Sequence, residues 1–337
     1  MTVDGSFNSE QKVFIRRNWN KPLLKFLTKR VNDRLIYLGL PSPKAEDIIE
    51  WIEYIKSVIA FQCRNYGEVS KEGQDRTGID ELTRLLFQLE REKKINNYMV
   101  FDGWLEEIVL RGYDNSPTRI DFELHDFITL YNLDFCNKIT SPIEFYDSNG
   151  DIKTAYKFDA INSLLQIQKS LTNVSNKFVL FLTVHCSYDE AEIQNFISYP
   201  PNREIGGYIQ RCNYLGGHEK NARIVRLFFA YYIKQKFEAF GFTPKLLPSL
   251  FYQGLKDVNL LHFTVFGINP TNTIAGSAPT YQTLDDILNQ KFISIDNLKF
   301  VNKNINFDGE KDVELNPVKL FSDSATFKYL WQTKDKK

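Results

Sequence analysis

The chain has 337 residues, 43% of them hydrophobic and 14% aromatic, and its 42 basic side chains balance 42 acidic ones. That supply of core material excludes a disordered chain, and the charge balance excludes indiscriminate coating of nucleic acid. At about 150 residues per domain the length fits one large domain with an appendage.

No stretch approaches the ~18 consecutive apolar residues of a membrane span. The opening MTVDGSFNSEQK is acidic and polar where a signal peptide needs a basic and then an apolar run. Four scattered cysteines point to free thiols rather than a disulfide framework. A soluble, cytoplasmic protein is expected.

In chain order, residues 1–33 form a basic arm. Lys12, Arg16, Arg17, Lys21, Lys25, Lys29 and Arg30 dominate it, and Leu23, Leu24, Phe26, Leu27 and Val31 sit close to helical spacing. Its basic face is either simply solvated or touches phosphates or an acidic partner. From Arg34 the pattern alternates. A short apolar strand over 34–40 ends in Pro41-Ser42-Pro43, and a helix follows from Ala45 to Tyr54. Strand 57–61 closes with Gln62, helix 80–93 carries Leu82, Leu85, Leu86 and Leu89, and strand 98–101 ends in Asp102-Gly103. Strand 127–133 ends in Asp134-Phe135-Cys136-Asn137, and helix 158–171 leads to strand 177–184. A long helix spans 221–240, with Gly241 placed as its C-terminal cap. Strands 244–252 and 260–268 then follow with only a short polar link, which reads as a hairpin at the sheet edge. Strands alternating with helices imply βαβ units and a parallel sheet covered on both faces.

Five β-α units followed by a helix and a hairpin resemble the class I S-adenosylmethionine-dependent methyltransferases over about residues 30–270. The resemblance implies a doubly wound, mostly parallel, seven-stranded Rossmann-like sheet with an antiparallel C-terminal hairpin. It divides the chain into the arm at 1–33, the methyltransferase-like domain at 34–270 with an insertion at about 187–220, and an α+β extension at 271–337. It also implies S-adenosylmethionine as cofactor, bound outside the carboxyl ends of the strands near the switch point.

Under that resemblance Gly39, Gln62 and Asp102 line the cofactor pocket. Each departs from the family or has a second reading. Gly39 stands alone where the family keeps a glycine-rich loop, and Pro41 and Pro43 stiffen the loop after it. Gln62 replaces the acid that accepts ribose hydroxyls; it can still hydrogen-bond them, without a carboxylate's charge. Asp102 either meets the adenine amine or caps the next helix. At the fourth strand end Asp134 and Asn137 are the candidate catalytic residues, because an acid or amide there orients an acceptor amine or hydroxyl for in-line displacement. Phe135 offers a stacking surface, although the Asn/Asp-Pro-Pro-aromatic signature of amino-methylating nucleic-acid enzymes is absent.

The segment after strand five carries Arg203, Tyr208 and Arg223 among glycines, and reads either as an acceptor-binding lid or as a long connector. Basic segments 12–34 and 203–236 make nucleic acid the candidate substrate. The departures at Gly39 and Gln62 keep a second reading open: a catalytically degenerate scaffold or sensing subunit in a multiprotein assembly. Neither C-x-x-C nor H-x-x-H occurs, so no metal site is expected, and GxxxxGK[ST] is absent too.

Overall fold

A computed structural model describes residues 9–63, 78–135, 138–171, 177–198, 200–212, 217–254, 258–269, 282–290, 292–295, 304–307, 310–314 and 317–318. The chain opens with α1 (Glu10–Phe14), passes through a π-helical stretch, Ile15–Asn20, and continues as α2 (Lys21–Val31). Next come β1 (Leu35–Gly39), α3 (Glu46–Glu50), β2 (Ile55–Gln62), α4 (Gly78–Arg91), β3 (Asn97–Asp102) and α5 (Leu105–Arg111). β4 (Leu130–Asp134) is followed by a separate hairpin, β5 (Ile143–Tyr146) and β6 (Ile152–Ala155), and then by α6 (Lys157–Ser170) and β7 (Lys177–His185). Helices α7 (Glu190–Ser198), α8 (Gly206–Cys212) and α9 (Gly217–Ala239) lead to β8 (Thr243–Leu246), β9 (Ser249–Gln253) and β10 (Asn259–Ile268). The chain then adds α10 (Leu284–Leu288), β11 (Phe292–Ser294), β12 (Asn304–Phe307) and β13 (Glu310–Glu314).

The main sheet runs β13-β12-β11-β9-β10-β7-β4-β1-β2-β3, with β8 also on β10. β3, β2, β1, β4 and β7 are mutually parallel, whereas β10 is antiparallel to β7, β8 and β9. Alternate strand residues feed two cores. Leu38, Leu180 and Leu182 face α5, α6 and α9 residues such as Ile108, Ile161 and Phe229. Tyr37, Val179 and Phe181 face Trp19, Leu24, Trp51 and Leu82. Side chains of successive strand residues point to opposite faces, so β7, buried along nearly its whole length, serves both layers.

The structure adjusts three expectations. The expected strand 127–133 forms as Leu130–Asp134, with Thr129 still bonded to Ile36 and Val179, because Ile128 is bonded by the Gln168 side chain instead of a strand: its N–H donates to Gln168 Oε1 at 3.2 Å and its carbonyl accepts from Nε2. The expected strand 244–252 is two segments on one path, interrupted at Leu247-Pro248, where proline has no N–H for a ladder. That pair is also not at the edge, since β11 continues the sheet beyond β9. Among the described residues no helix is long and apolar enough to cross a membrane.

The basic arm is tied into the second core. Trp19, Leu23, Leu24 and Leu27 are fully buried there, and Trp19 Nε1 donates to Thr264 Oγ1 at 2.8 Å.

Candidate functional site

The chain order of the parallel strands reverses between β1 and β4, which leave the sheet with adjacent carboxyl ends. A crevice opens there for geometric reasons: successive connections diverge to opposite faces of the sheet. The cavity at this point measures about 160 Å³. Its walls come from the strand ends (Leu40, Gln62, Gly103, Asp134, Thr183), from the loop Pro41-Ser42-Pro43, and from the arm through Lys12, Arg16 and Asn20.

Four polar groupings surround it. Asp47, buried on α3, accepts from Tyr37 Oη and Asn132 Nδ2, each at 2.6 Å. Burial pushes its carboxyl pKa up, while the Tyr37 hydroxyl and the nearby Arg16 charge pull it down. Lys12 Nζ donates to Asp134 Oδ2 at 2.6 Å. Buried His262 meets Thr183 Oγ1 at 3.0 Å and Asn20 Oδ1 at 3.1 Å. Lys157 and Glu106, a buried pair 3.5 Å apart, complete the lining, with Lys157 5.8 Å from the Phe135 ring centroid. A buried ion pair such as Lys157–Glu106 contributes little net stability because both charges lose water, which singles out this lining as a candidate site.

The expected residues fall unevenly. Gln62, Asp134 and Phe135 line the cavity. Gly39 is one residue from it and does a different job. A Cβ there would collide with the Tyr37 hydroxyl and lie 2.6 Å from both Tyr37 Cζ and the Asn132 carbonyl, so the glycine admits Tyr37 across β1. Asp102 is buried and not among the lining residues, whereas the next residue, Gly103, is, and the N-cap of α5 is Trp104 rather than Asp102. Asn137 lies outside the described residues. The cavity lining includes none of Arg203, Tyr208 and Arg223. Arg203 is exposed on a 3-10 turn, Tyr208 donates its hydroxyl to Asp285, and Arg223 is half-buried on α9.

Sequence reading missed Lys12, Asn132, Thr183, His262, Glu106 and Lys157 as neighbours of one cavity. Their signal was only positional, Asn132 and Thr183 being near strand ends. Among the described residues no cluster of His, Cys, Asp and Glu suits a metal ion, and Cys63, Cys186 and Cys212 are free thiols.

Five parallel strands in the order β3-β2-β1-β4-β7, then an antiparallel β10 inserted between β7 and β9, decide the architecture. This is the class I S-adenosylmethionine-dependent methyltransferase fold. No protein-family model and no curated protein matches the chain. Solved structures similar to it include a Streptococcus mutans protein in complex with SAH, at 11% identity and TM-score 0.33 over 73% of this chain and 96% of that one. A SAM-dependent methyltransferase from Agrobacterium tumefaciens is similar at 13% identity and TM-score 0.33, over 76% of this chain and 62% of that one. TYW2 from M. jannaschii, in complex with AdoMet, is similar at 11% identity and TM-score 0.33, over 77% of each chain.

Proposed function

We propose that the chain binds S-adenosylmethionine in the strand-end cavity and transfers its methyl group to an amine of a nucleic acid. The observation that carries this reading is a cavity at the β1/β4 switch point whose walls bring Gln62, Asn132, Asp134 and Arg16 together. The donor set suits the cofactor's parts. The Gln62 amide can accept from and donate to ribose hydroxyls, and Gly103 and Trp104 offer backbone and aromatic surface for a purine. Arg16 supplies a cation for the amino-acid carboxylate.

Bound S-adenosylmethionine supplies an activated methyl group on a sulfonium. The protein's part is placement: Asp134 accepts an N–H of the acceptor and directs its lone pair, while Phe135 and Thr183 wall the approach. Asp47 holds Asn132, and through it the end of β4, against the end of β1. Nucleic acid as the acceptor rests on the exposed cations Lys25, Lys29 and Arg203.

Two observations favour the second reading, a degenerate scaffold in an assembly: Tyr37 covers Gly39, and the Lys12 ammonium already bonds Asp134. Calorimetric titration with S-adenosylmethionine and its demethylated product separates the two. Saturable heat in the micromolar range, weakened by Gln62→Ala, supports the cofactor site. Absence of heat at millimolar ligand would sink it and leave the scaffold.

A further inference from the structure

The acid at the end of β4 already carries an amine of the chain itself. Lys12 Nζ lies 2.6 Å from Asp134 Oδ2, and both side chains retain solvent access, 16% for Lys12 and 31% for Asp134. Building on the methyl-transfer reading above, we propose that Lys12 is a methyl acceptor of its own chain, so that the protein methylates its N-terminal helix.

Three features of the structure support this. Lys12 occupies the acceptor side of the cavity, since both it and its partner Asp134 line the same space as Gln62 and Asn132. Its short helix α1 is half-buried, with Phe14 packed against the second core, and it leads directly into the buried Ile15, Trp19 and Asn20. Those three residues belong to the π-helical stretch, a widened winding that commonly marks functional positions. The lysine is thus held at the cavity by the packed segment that follows it. Finally, the other amine lining the cavity is unsuited: Lys157 is about 5% exposed, pairs with Glu106 and donates to the Ser141 carbonyl.

The step balances in atoms and charge. The Lys12 ammonium releases one proton to solvent through the open side of the cavity. The neutral nitrogen attacks the methyl carbon in line with the sulfur, an N–C bond forms, and the C–S bond breaks with its electron pair remaining on sulfur. The products are S-adenosylhomocysteine and a methylammonium group, which still has N–H donors for Asp134. No oxidant or further reactant is needed.

The test incubates the full chain with S-adenosylmethionine and maps methyl groups by peptide mass spectrometry, with calorimetric binding measured in parallel. The expected result is one methyl group on the peptide containing Lys12. Lys12→Arg removes it, and Asp134→Asn slows it by about tenfold or more while cofactor binding persists. Binding without methylation of Lys12 overturns the inference and leaves the methyltransferase reading intact. Methyl incorporation undiminished in Lys12→Arg overturns it as well. Failure of the wild-type chain to bind the cofactor removes that reading and the inference together.

Discussion

Protonation of His262 provides a quantitative check on how the arm is seated. This side chain lies on β10 at the centre of a buried chain of contacts. The Asn20 oxygen only accepts, so Nε2 carries the ring proton and Nδ1 accepts from the Thr183 hydroxyl. Complete burial pushes the imidazole pKa down to about 4; Asp134 offsets this slightly and the Lys12 charge adds to it. In the unfolded chain the ring titrates near 6.5. The folded pKa is thus the lower one, so the stability it reflects is complete above about pH 6.5 and is lost as pH falls toward about 4. At about 1.4 kcal/mol per pH unit the loss is about 2 kcal/mol between about pH 7 and about pH 5, and about 3 kcal/mol once pH reaches about 4. Urea unfolding at fixed pH reads this directly. His262→Gln should be less stable than the parent near neutrality, and the gap should narrow by about 2 kcal/mol at about pH 5, other carboxylates titrating alike in both. A gap that stays constant across that interval would refute a neutral, buried His262.

Other perturbations follow from the same contacts. Trp19→Ala empties a fully buried position and removes the bond to Thr264, so a loss of about 3–5 kcal/mol in chemical unfolding is expected; Trp19→Phe should lose markedly less. Gly39→Ala should cost about 1–3 kcal/mol by overpacking. Adding Tyr37→Phe should not restore it, because the ring Cζ and the Asn132 carbonyl still crowd the new methyl group; full rescue by the double variant would show that the hydroxyl alone sets the constraint. Arg226, buried on α9, donates to the carbonyls of Ile287 and Leu288 at the end of α10. Arg226→Met should lower stability by about 1–3 kcal/mol and increase proteolysis between α10 and β11; unchanged proteolysis would contradict its anchoring role.

The parallel sheet was legible chiefly through β1 and β7, apolar runs buried along almost all of their length. The separate hairpin β5–β6 was equally legible in principle: Asn149-Gly150 sits at its turn, and Gly150 takes a φ of 83° that suits glycine. It was missed because two short strands flanked by charged residues lack the apolar mass of the others. The candidate site was legible only where it coincides with strand ends, at Gln62, Asp134 and Phe135. Lys12 and Asp134 are 122 positions apart and Asn20 and His262 are 242 apart, and no spacing rule connects such residues. Beside Asp102, Gly103 turns with a φ of 141° and itself lines the cavity.

The basic arm shows why net charge and charge runs are poor guides to a partner. In sequence it is a cationic helix, the usual footprint of a polyanion contact. In the fold much of that charge is already answered: Lys12 meets Asp134, Arg17 and Lys21 share Glu50, and Arg34 donates to the Lys94 carbonyl. Glu50 responds as a shared partner should, its pKa held below the usual carboxylate range by those two cations against the opposing effect of burial. Arg226, from the second basic run, is not at the surface at all. The cations left for an external anion on the arm are therefore the exposed ones, Lys25 and Lys29, on the side of α2 away from its buried leucines. Lys12 and Arg16 face the cavity. One helical arm thus divides its charge between an exposed face and the strand-end cavity.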